Sequence, residues 1–532
     1  MSARLNTWLL VAIFVVAAMV RVGVARRSPL WADEIFSLAI ATGHSLEHPA
    51  AVADPVQGDF AESDGPQPAA TLRRFLRHDD PPASPARVMR AVLLSDTSPP
   101  LYYLLLYVWT RMAGTGDFAL RLFSIAWSLA CLPLLIGIAR RVGGGRAVVS
   151  TCVLFALSPP AVYYSTEGRM YPLLWFCVLA TVLLSLRLQQ RGGGRALFAL
   201  WCIASAAGFL THYFFLFPWL ATVAWLVLRP GKLLRSRLAV CSVVVAILIA
   251  PWYVKAPESL AKWRVTEGWL QMVPARFDRV KATTDFALQY FSGKAIGYWK
   301  LHRRSTTAAL ILFGVTGGIM LWRLRERAFD DRRLVLWLWF AAACAGPFLY
   351  DWVKHTYTVA VPRYALPALP AAYLLAAVGL GCLRFPARTA LLLLIVLAWT
   401  PSLRSIHRSQ ARTGPPLWTL TEHLAKDRDP SDLILVHSIP SGVLAVARYV
   451  EGPAELASWV GQLGQRRVPE SLFALLANRT RVIFVNFHAV GEPAPEEQWL
   501  REHACLAGER RIGAAFVADF RPKDAPTFPP HH

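Results

Sequence analysis

The sequence predicts an all-α polytopic membrane protein that ends in a small α/β domain. Hydrophobic residues make up 55% of the 532 residues, the mean hydropathy is +0.38, and long apolar runs recur as far as about residue 404. Runs of this number and length are not typical of a soluble protein. From about residue 405 charges and prolines rise and the apolar runs shorten. We therefore predict a membrane domain at 1–404 and an α/β domain at 405–532.

About eleven apolar segments are predicted to cross the membrane. The first ends in Ala25-Arg26-Arg27 without a small-residue cleavage site, which indicates a retained anchor. The segment 100–112 is shorter and ends near Arg111, so we expect it to lie at the outer interface. The predicted spans are 5–24, 118–140, 147–163, 170–187, 196–211, 214–228, 238–254, 306–322, 333–350, 361–382 and 388–403.

The loops between the spans predict the orientation of the chain. Lys and Arg cluster in five loops, which begin near residues 140, 187, 229, 323 and 384, and such clusters favour the cytoplasmic side. The N-terminus is then cytoplasmic, whereas the loops 28–98 and 255–305 and the C-terminus are external. Because these clusters account for most of the formal charge of +22, the charge indicates topology and no nucleic-acid partner.

The C-terminal region alternates short strand-like and helical stretches, which is typical of an α/β domain. Strands are predicted at 432–437 and 481–487, with a weaker one at 512–518, and helices at 417–426, 441–450, 470–478 and 496–505. The external loop 28–98 contains possible helices at 33–41 and 87–94. Long ordered loops of this size usually carry function.

Several other kinds of chemistry are not indicated. Seven of the eight cysteines lie in predicted spans, so neither a disulfide framework nor a metal-type spacing follows. The glycine triplets at 143–145 and 192–194 follow no strand and are predicted to be turns, not phosphate-binding loops. Asp330-Asp331 lies among arginines on the cytoplasmic side and is predicted to be a solvated charge cluster.

Polar motifs occur in a definite order near the external ends of the spans. They are Asp33-Glu34, Asp96-Thr97-Ser98-Pro99-Pro100-Leu101-Tyr102-Tyr103, Phe118-Ala119-Leu120-Arg121-Leu122-Phe123-Ser124, Tyr163-Tyr164-Ser165-Thr166-Glu167-Gly168-Arg169-Met170-Tyr171, Thr211-His212-Tyr213-Phe214 and Pro362-Arg363-Tyr364 with Leu366-Pro367-Ala368-Leu369-Pro370. In this order they resemble the motifs of bacterial GT-C fold membrane glycosyltransferases. The chain is similar over about residues 5–400 to the family of protein mannosyltransferases and lipid A aminoarabinose transferases, glycosyltransferase family 39.

The resemblance implies transfer of a sugar from a polyprenyl-phosphate carrier to a hydroxyl of a lipid, glycan or protein, on the outer face of the cytoplasmic membrane. It implies that Asp33, in the acidic pair with Glu34, is the catalytic base, and that the anomeric carbon is inverted. One departure is Ser98, which stands where family members often have His or Lys. The substrate-binding residues suggested by the motifs are Asp96, Ser98, Tyr102, Glu167, Tyr171, His212 and Tyr213.

The residues themselves point to the same class of reaction. Nucleotide sugars are cytosolic, so an enzyme whose polar motifs are external needs a donor that arrives linked to lipid. Arg169 and Arg363, with Tyr364, are candidates to bind the donor phosphate, because guanidinium matches phosphate geometry. Ten Lys and Arg against four Asp and Glu lie between Lys255 and Arg304, which favours contact with anionic lipids. A divalent metal ion is a possible cofactor, with Asp33, Glu167 and His212 as candidate ligands.

Each candidate also has a plainer explanation. Asp33 is well placed to cap the helix that follows, with Glu34 favouring its positive end. Glu167 and Arg169 are compatible with a solvated ion pair, and His212 with an interfacial hydrogen-bonding residue. Tyr102 with Tyr103 suits an interface anchor, and Arg363 a snorkelling one.

Two other functions remain open at the level of sequence. A flippase or transporter of lipid-linked sugars predicts ionisable residues inside several spans and internal repeats, whereas these spans are nearly free of charge and no repeat is visible. A polymerase or ligase of lipid-linked sugars with a different membrane fold uses the same kind of donor.

Overall fold

A computed structural model of the chain describes most of its residues. The described ranges are 3–48, 52–95, 98–262, 270–274, 276–293, 303–408, 417–426, 428–487, 494–523 and 526–529. Asp96 and part of the segment 255–305 therefore lie outside the described residues.

Helices dominate the described residues, and the strands are confined to the C-terminal region. The helices are α1 Ala3–Ala25, α2 Ala32–Ala41, α3 Ala69–Leu72, α4 Pro85–Ser95, α5 Leu101–Ala113, α6 Asp117–Val142, α7 Gly145–Leu157, α8 Pro159–Ser165, α9 Tyr171–Arg191, α10 Arg195–Phe209, α11 Leu216–Leu228, α12 Arg235–Lys262, α13 Arg279–Ser292, α14 Arg303–Leu324, α15 Leu334–Lys354, α16 Leu369–Gly381, α17 Phe385–His407, α18 Leu417–Ala425, α19 Pro440–Tyr449, α20 Glu470–Leu476 and α21 Pro495–His503. The strands are β1 Asp432–His437, β2 Glu455–Trp459, β3 Arg481–Asn486, β4 Cys505–Ile512 and β5 Ala515–Arg521.

The chain divides into two compact units. The first unit contains Met1–Ser28, Arg121–Val254 and Leu270–Arg412. The second contains Pro29–Leu120, Lys255–Trp269 and Thr413–His532. The loop 28–98 therefore groups with the C-terminal region, and the boundary predicted near residue 404 stays a prediction.

Long apolar helices form the first unit. In the described ranges, eight helices are long and apolar enough to cross a membrane, and α7 with α8 makes a ninth if that pair, bent by 57°, is one span. The two shorter apolar helices, α10 and α11, cover the two remaining predicted spans, so the count of about eleven stays a prediction. The bend follows from Pro159 and Pro160, which lack amide donors, and Ser158 caps α8 by accepting from the amide of Ala161 at 3.1 Å.

Close packing in the first unit depends on glycine at one helix crossing. Helices α11 and α15 pack against each other, and a Cβ added at Gly346 would lie 2.2 Å from the ring of Phe217. The clash involves the ring of Phe217 at its attachment to the side chain, not the far end of a flexible side chain. A small side-chain movement therefore does not relieve it. Gly346 is therefore required by packing.

We expect Gly346→Ala to lower the free energy of unfolding of the detergent-solubilised protein by about 1–3 kcal/mol, because the added methyl group overpacks the crossing. Thermal unfolding followed by tryptophan fluorescence measures the change. Gly318→Ala in α14 is the matched control, since a Cβ there meets no described atom within 4 Å and Ala favours helix. Equal thermal stability of the two variants would contradict the packing role.

Arg21 and Arg121 lie inside predicted spans that are otherwise nearly free of charge, and both are fully buried. Arg21 in α1 donates to Ser128 Oγ at 3.1 Å and to the carbonyls of Ala156 and Phe155 at 2.9 and 3.3 Å. Arg121 in α6 donates to the carbonyls of Ala25 and Ser28. Both guanidinium groups thus satisfy carbonyls that helix ends leave open.

A five-stranded sheet forms the core of the second unit. Its order is β2-β1-β3-β5-β4, with β1 parallel to β2 and β3, and with β5 antiparallel to β3 and β4. Alternate residues such as Leu433, Leu435 and Phe484 pack with Leu472 and Leu500 from α20 and α21 on one face. The predicted α/β character of this region is confirmed.

Two strands were missed by the sequence patterns. The strand β2 has only five residues and lies between glycine- and proline-containing turns, and β4 is an exposed, charged edge strand, so neither shows a clear apolar alternation. The predicted strand 512–518 is wrong in its bounds, because Gly513, with φ of 61°, makes the turn between β4 and β5.

The first loop is held together by buried polar contacts within the second unit. Asp59 accepts from Ser45 Oγ at 2.6 Å and forms a bidentate ion pair with Arg90. Burial alone would raise the pKa of Asp59, but the hydrogen bonds from Arg90 and Ser45 outweigh it and lower the pKa. His44 lies 3.4 Å from Asp79, and burial lowers the pKa of its imidazole to about 4 although Asp79 opposes this.

We expect mild acid to destabilise this loop. A His whose pKa is lower in the folded state binds a proton more readily when unfolded, so stability is lost as pH falls from about 6.5 towards 4. For His44 the loss between pH 7.5 and pH 5 is about 2 kcal/mol. The lowered pKa of Asp59 adds a further loss only below its ordinary range. Hydrogen exchange of peptides from 42–95 at both pH values measures the opening free energy.

His44→Gln removes the titrating group at the same site. We expect it to flatten the pH dependence without abolishing it, because His48 is also buried with a lowered pKa. An unchanged slope in this variant would assign the acid sensitivity to another group.

Candidate functional site

The turn between α8 and α9 carries two of the predicted site residues, Glu167 and Arg169, and both are buried. The amide of Arg169 donates to the carbonyl of Glu167 at 2.8 Å, which closes the turn. Ser124 on α6 donates from Oγ to the carbonyl of Arg169 at 3.0 Å. This bond joins two of the motifs and fixes where the turn presents its side chains. Burial of both charged residues argues against the plainer explanation of a solvated ion pair.

Aromatic rings surround His212 in the first unit. Its ring centroid lies 6.4 Å from that of Tyr171 and 6.4 Å from that of Tyr364. His212 Nδ1 accepts from the amide of Phe214 at 3.1 Å, so the neutral ring carries its proton on Nε2. The histidine is therefore oriented by the backbone as a donor through Nε2.

Arg363 lies near the same group. Its guanidinium is 5.7 Å from the ring centroid of Tyr364, and the charges of Arg363 and Glu167 both act on the phenol of Tyr164. The structure thus brings Glu167, Tyr171, His212, Arg363 and Tyr364 into one region of the first unit. The carboxylate of Glu167, the guanidinium of Arg363 and the imidazole of His212 together can bind a phosphate and its sugar.

Tryptophan and tyrosine donors support the segment that carries Arg363. Trp175 and Trp339 donate from Nε1 to the carbonyls of Leu366 and Pro367 at 2.8 and 2.7 Å. Tyr290 donates to the carbonyl of Ala365 at 2.5 Å. The segment needs such donors because its prolines prevent regular helical hydrogen bonding. No sequence signal identified Trp175, Trp339 or Tyr290, since their partners are distant in the chain.

Tyr213 points to a different neighbour from His212. Its hydroxyl accepts from Trp252 Nε1 at 3.3 Å, and its ring packs edge-on against Tyr253 of α12. The predicted substrate role of Tyr213 stays a prediction, and the described contacts assign it to helix packing.

The acidic pair belongs to the second unit and begins α2. Trp31 occupies the N-cap position, and the carboxylate of Glu34 accepts from its amide at 3.2 Å. Glu34 is fully buried, whereas Asp33 is only half-buried. The helix end is thus stabilised by Glu34, and Asp33 is the more accessible acid of the pair.

The proline-tyrosine motif also lies in the second unit. Tyr102 is fully buried in α5, with its ring edge-on to Tyr103 at 5.5 Å, so it is not the exposed interface anchor that its plainer explanation requires. Ser98 is half-buried ahead of α5. Their substrate roles, like that of Asp96, stay predictions.

A divalent ion of the predicted kind needs several donor side chains close together. Among the described residues, no group of three or more His, Cys, Asp and Glu side chains could hold a metal ion. One nitrogen of His212 is also engaged by a backbone amide. The described residues therefore present no set of ligands that fits a resident ion, and the proposed reaction takes no step through a metal.

Known proteins resemble this chain in sequence and in fold. Residues 97–254 match the family described as dolichyl-phosphate-mannose-protein mannosyltransferase. The structure of ArnT from Cupriavidus metallidurans bound to undecaprenyl phosphate has a TM-score of 0.59 and 14% identity, and covers 97% of this chain and 98% of that chain. The apo structure of the same protein has a TM-score of 0.60 with equal identity and coverage. A comparison with curated protein sequences gives no significant match.

These likenesses support what the motif order predicted. The match at 97–254 contains Glu167, Arg169, Tyr171 and His212, and leaves out Asp33 and Arg363. The likeness to ArnT covers almost the whole chain, including the C-terminal α/β region that the sequence resemblance did not reach. The predicted resemblance is confirmed: this multi-pass membrane protein has the GT-C fold of membrane glycosyltransferases, and its middle segment is similar to the mannosyltransferase family.

Proposed function

We propose that the protein transfers a sugar from a polyprenyl-phosphate-linked donor to a hydroxyl of an acceptor at the outer face of the cytoplasmic membrane. The observation that carries the proposal is the grouping of Arg363, Glu167 and His212 at the ends of apolar helices in a GT-C fold. Such a group is suited to an anionic lipid-linked substrate.

The donor phosphate is bound by arginine in this proposal. Arg363 and Arg169 supply charge-assisted hydrogen bonds to the phosphate, and the Nε2 proton of His212 is a further donor. A phosphate-bearing lipid is consistent with the undecaprenyl phosphate bound by ArnT. Because these donors stabilise the phosphate more as it gains charge, they favour departure of the leaving group.

Asp33 acts as the general base. It takes the proton of the acceptor hydroxyl while that oxygen attacks the anomeric carbon, and the bond from this carbon to the phosphate oxygen breaks with its electron pair. The products are the glycosylated acceptor and polyprenyl phosphate, and the anomeric carbon is inverted because no enzyme nucleophile intervenes. Glu34 is the weaker candidate base because it is buried against the Trp31 amide.

Reconstitution tests the function directly. Purified protein in proteoliposomes that contain a polyprenyl-phosphate sugar and envelope extract should release polyprenyl phosphate in step with a new glycosylated product, both followed by mass spectrometry. Glycans missing from a deletion strain should match that product and identify the sugar and the acceptor. Movement of the intact donor across the bilayer without cleavage would instead show a flippase.

The proposed orientation, with a cytoplasmic N-terminus and an external C-terminus, rests on the arginine loops. We expect a membrane-impermeant thiol reagent to label Cys505 in intact spheroplasts, because Cys505 is exposed and the other cysteines are buried or half-buried. Cys505→Ser is the control and should abolish labelling. Labelling of Cys505 only after the membrane is opened would indicate the opposite orientation, with a cytoplasmic C-terminus.

A further inference from the structure

The helix that carries Asp33 is almost entirely enclosed by the second unit. Every residue of α2 is buried except Asp33, which is half-buried. The helix packs against α4, α5 and α19. An element enclosed in this way has little freedom to move, so the position of Asp33 is set by the packing of α2 together with the contacts at its first turn.

One side chain of the C-terminal region holds the start of α2. The hydroxyl of Tyr449, at the end of α19, accepts from the amide of Leu30 at 2.7 Å and donates to Asp117 Oδ2 at 2.5 Å. Leu30 is fully buried and precedes Trp31, the N-cap residue of α2. Burial and the charge of Asp117 raise the pKa of Tyr449, so the phenol stays a neutral donor.

Neighbouring charges fix Tyr449 itself. Arg448 donates from Nε and Nη2 to Asp117 Oδ1 at 2.9 and 2.6 Å. From the first loop, Arg73 donates to the carbonyls of Ala447 and Val450 at 2.7 and 2.6 Å, which closes the C-terminal end of α19. Hydrogen bonds from Arg73 and to Asp117 therefore hold the C-terminal end of α19 in place. The hydroxyl of Tyr449 in turn holds the backbone of Leu30.

Other contacts join the same two parts of the second unit. The backbone of Gln67 pairs with Leu456 on the open edge of β2, with bonds of 3.0 and 2.8 Å. Glu62 is buried and accepts from the amide of Val460 at 3.0 Å. These contacts covering an edge strand show that the first loop and the sheet form one folded body.

We propose that Tyr449 and Arg448 are positioning residues for Asp33, and that the C-terminal α/β domain serves the reaction by holding the base-bearing helix. This inference rests on the proposed function. A general base must lie within hydrogen-bonding reach of the acceptor hydroxyl, and a misplacement of about 1 Å can cost roughly a hundredfold in rate. The hydroxyl of Tyr449 connects the C-terminal region by a hydrogen bond to the residue that precedes the N-cap of that helix.

The first test measures the structural link between Tyr449 and the start of α2 without relying on catalytic activity. Tyr449→Phe keeps the ring and removes the hydroxyl, and we expect faster hydrogen exchange in peptides covering 29–41, while the protein still unfolds cooperatively on heating. Tyr107→Phe is the matched control, since it removes another hydroxyl of the second unit, which donates to the carbonyl of Ala83 at 2.8 Å. Unchanged exchange at 29–41 in Tyr449→Phe would overturn the proposal whatever the activity.

The second test asks whether the effect passes through Asp33. We expect Tyr449→Phe to lower kcat about 10- to 100-fold with the donor KM unchanged, whereas Tyr107→Phe stays near wild type. In an Asp33→Asn background the same change should lower kcat by less than about twofold, because the group it positions is gone. If Tyr449→Phe lowered kcat by the same factor in the Asp33→Asn background as in the wild type, the positioning role of Tyr449 would be overturned. Wild-type turnover of Asp33→Asn would overturn the base assignment and positioning together, while faster exchange in Tyr449→Phe would still show the physical connection.

Discussion

Asp33→Asn should lower kcat by about 10²- to 10⁴-fold, the contribution typical of a positioned general base. The amide has nearly the shape of the carboxylate but cannot accept the proton of the acceptor hydroxyl. Binding of the donor should be unchanged, because the proposed phosphate ligands are Arg169 and Arg363. The measurement is the initial rate of polyprenyl phosphate release, together with the donor dissociation constant in the same proteoliposomes.

Two controls make this result specific. Asp64→Asn removes an exposed acid of the same loop and should leave kcat near wild type. Glu34→Gln removes the negative charge that stabilises the start of α2 and should act mainly on the stability of that helix. Asp33→Asn with normal turnover, or with a loss confined to donor binding, would exclude Asp33 as the base.

Arg363→Gln should raise the donor KM by roughly 10- to 100-fold, since a hydrogen bond to a charged group contributes about 1.5–3 kcal/mol. Gln retains some length and polarity but carries no charge for the phosphate. Because the arginine also stabilises the departing phosphate, we expect a fall in kcat as well. Steady-state kinetics against donor concentration measure both effects, and Arg169→Gln should behave in the same way.

Arg332→Gln is the matched control for both arginine variants, because Arg332 is exposed in the arginine-rich segment before α15 and carries no proposed role. It should leave both constants within about twofold of wild type. If the donor KM were unchanged in both Arg363→Gln and Arg169→Gln, these arginines would not bind the donor phosphate and would serve only as membrane anchors.

The structure brings several of the predicted site residues together, and their roles stay predictions. Motif order placed Glu167, Tyr171, His212, Arg363 and Tyr364 on external span ends, and the structure groups them in one unit. These residues come together because the chain segments that carry them pack against one another, as the ring contacts of His212 with Tyr171 and Tyr364 show. The resemblance had singled out Asp33, but the different burial of Asp33 and Glu34 is visible only in the structure, because it depends on which carboxylate accepts from the Trp31 amide.

Sequence alone determined the class of the protein. Long apolar runs fixed the membrane helices, and the central strands β1 and β3 were visible as short apolar runs, because partition of side chains between water and an apolar phase is a local property. The tertiary structure decided three further features. Buried Arg21 meets carbonyls that lie more than a hundred residues away in the chain, the weak strands β2 and β4 are specified by their sheet neighbours, and Tyr449 joins the C-terminal region to the Asp33 helix. Each depends on hydrogen bonds between segments remote in sequence, which no local pattern encodes.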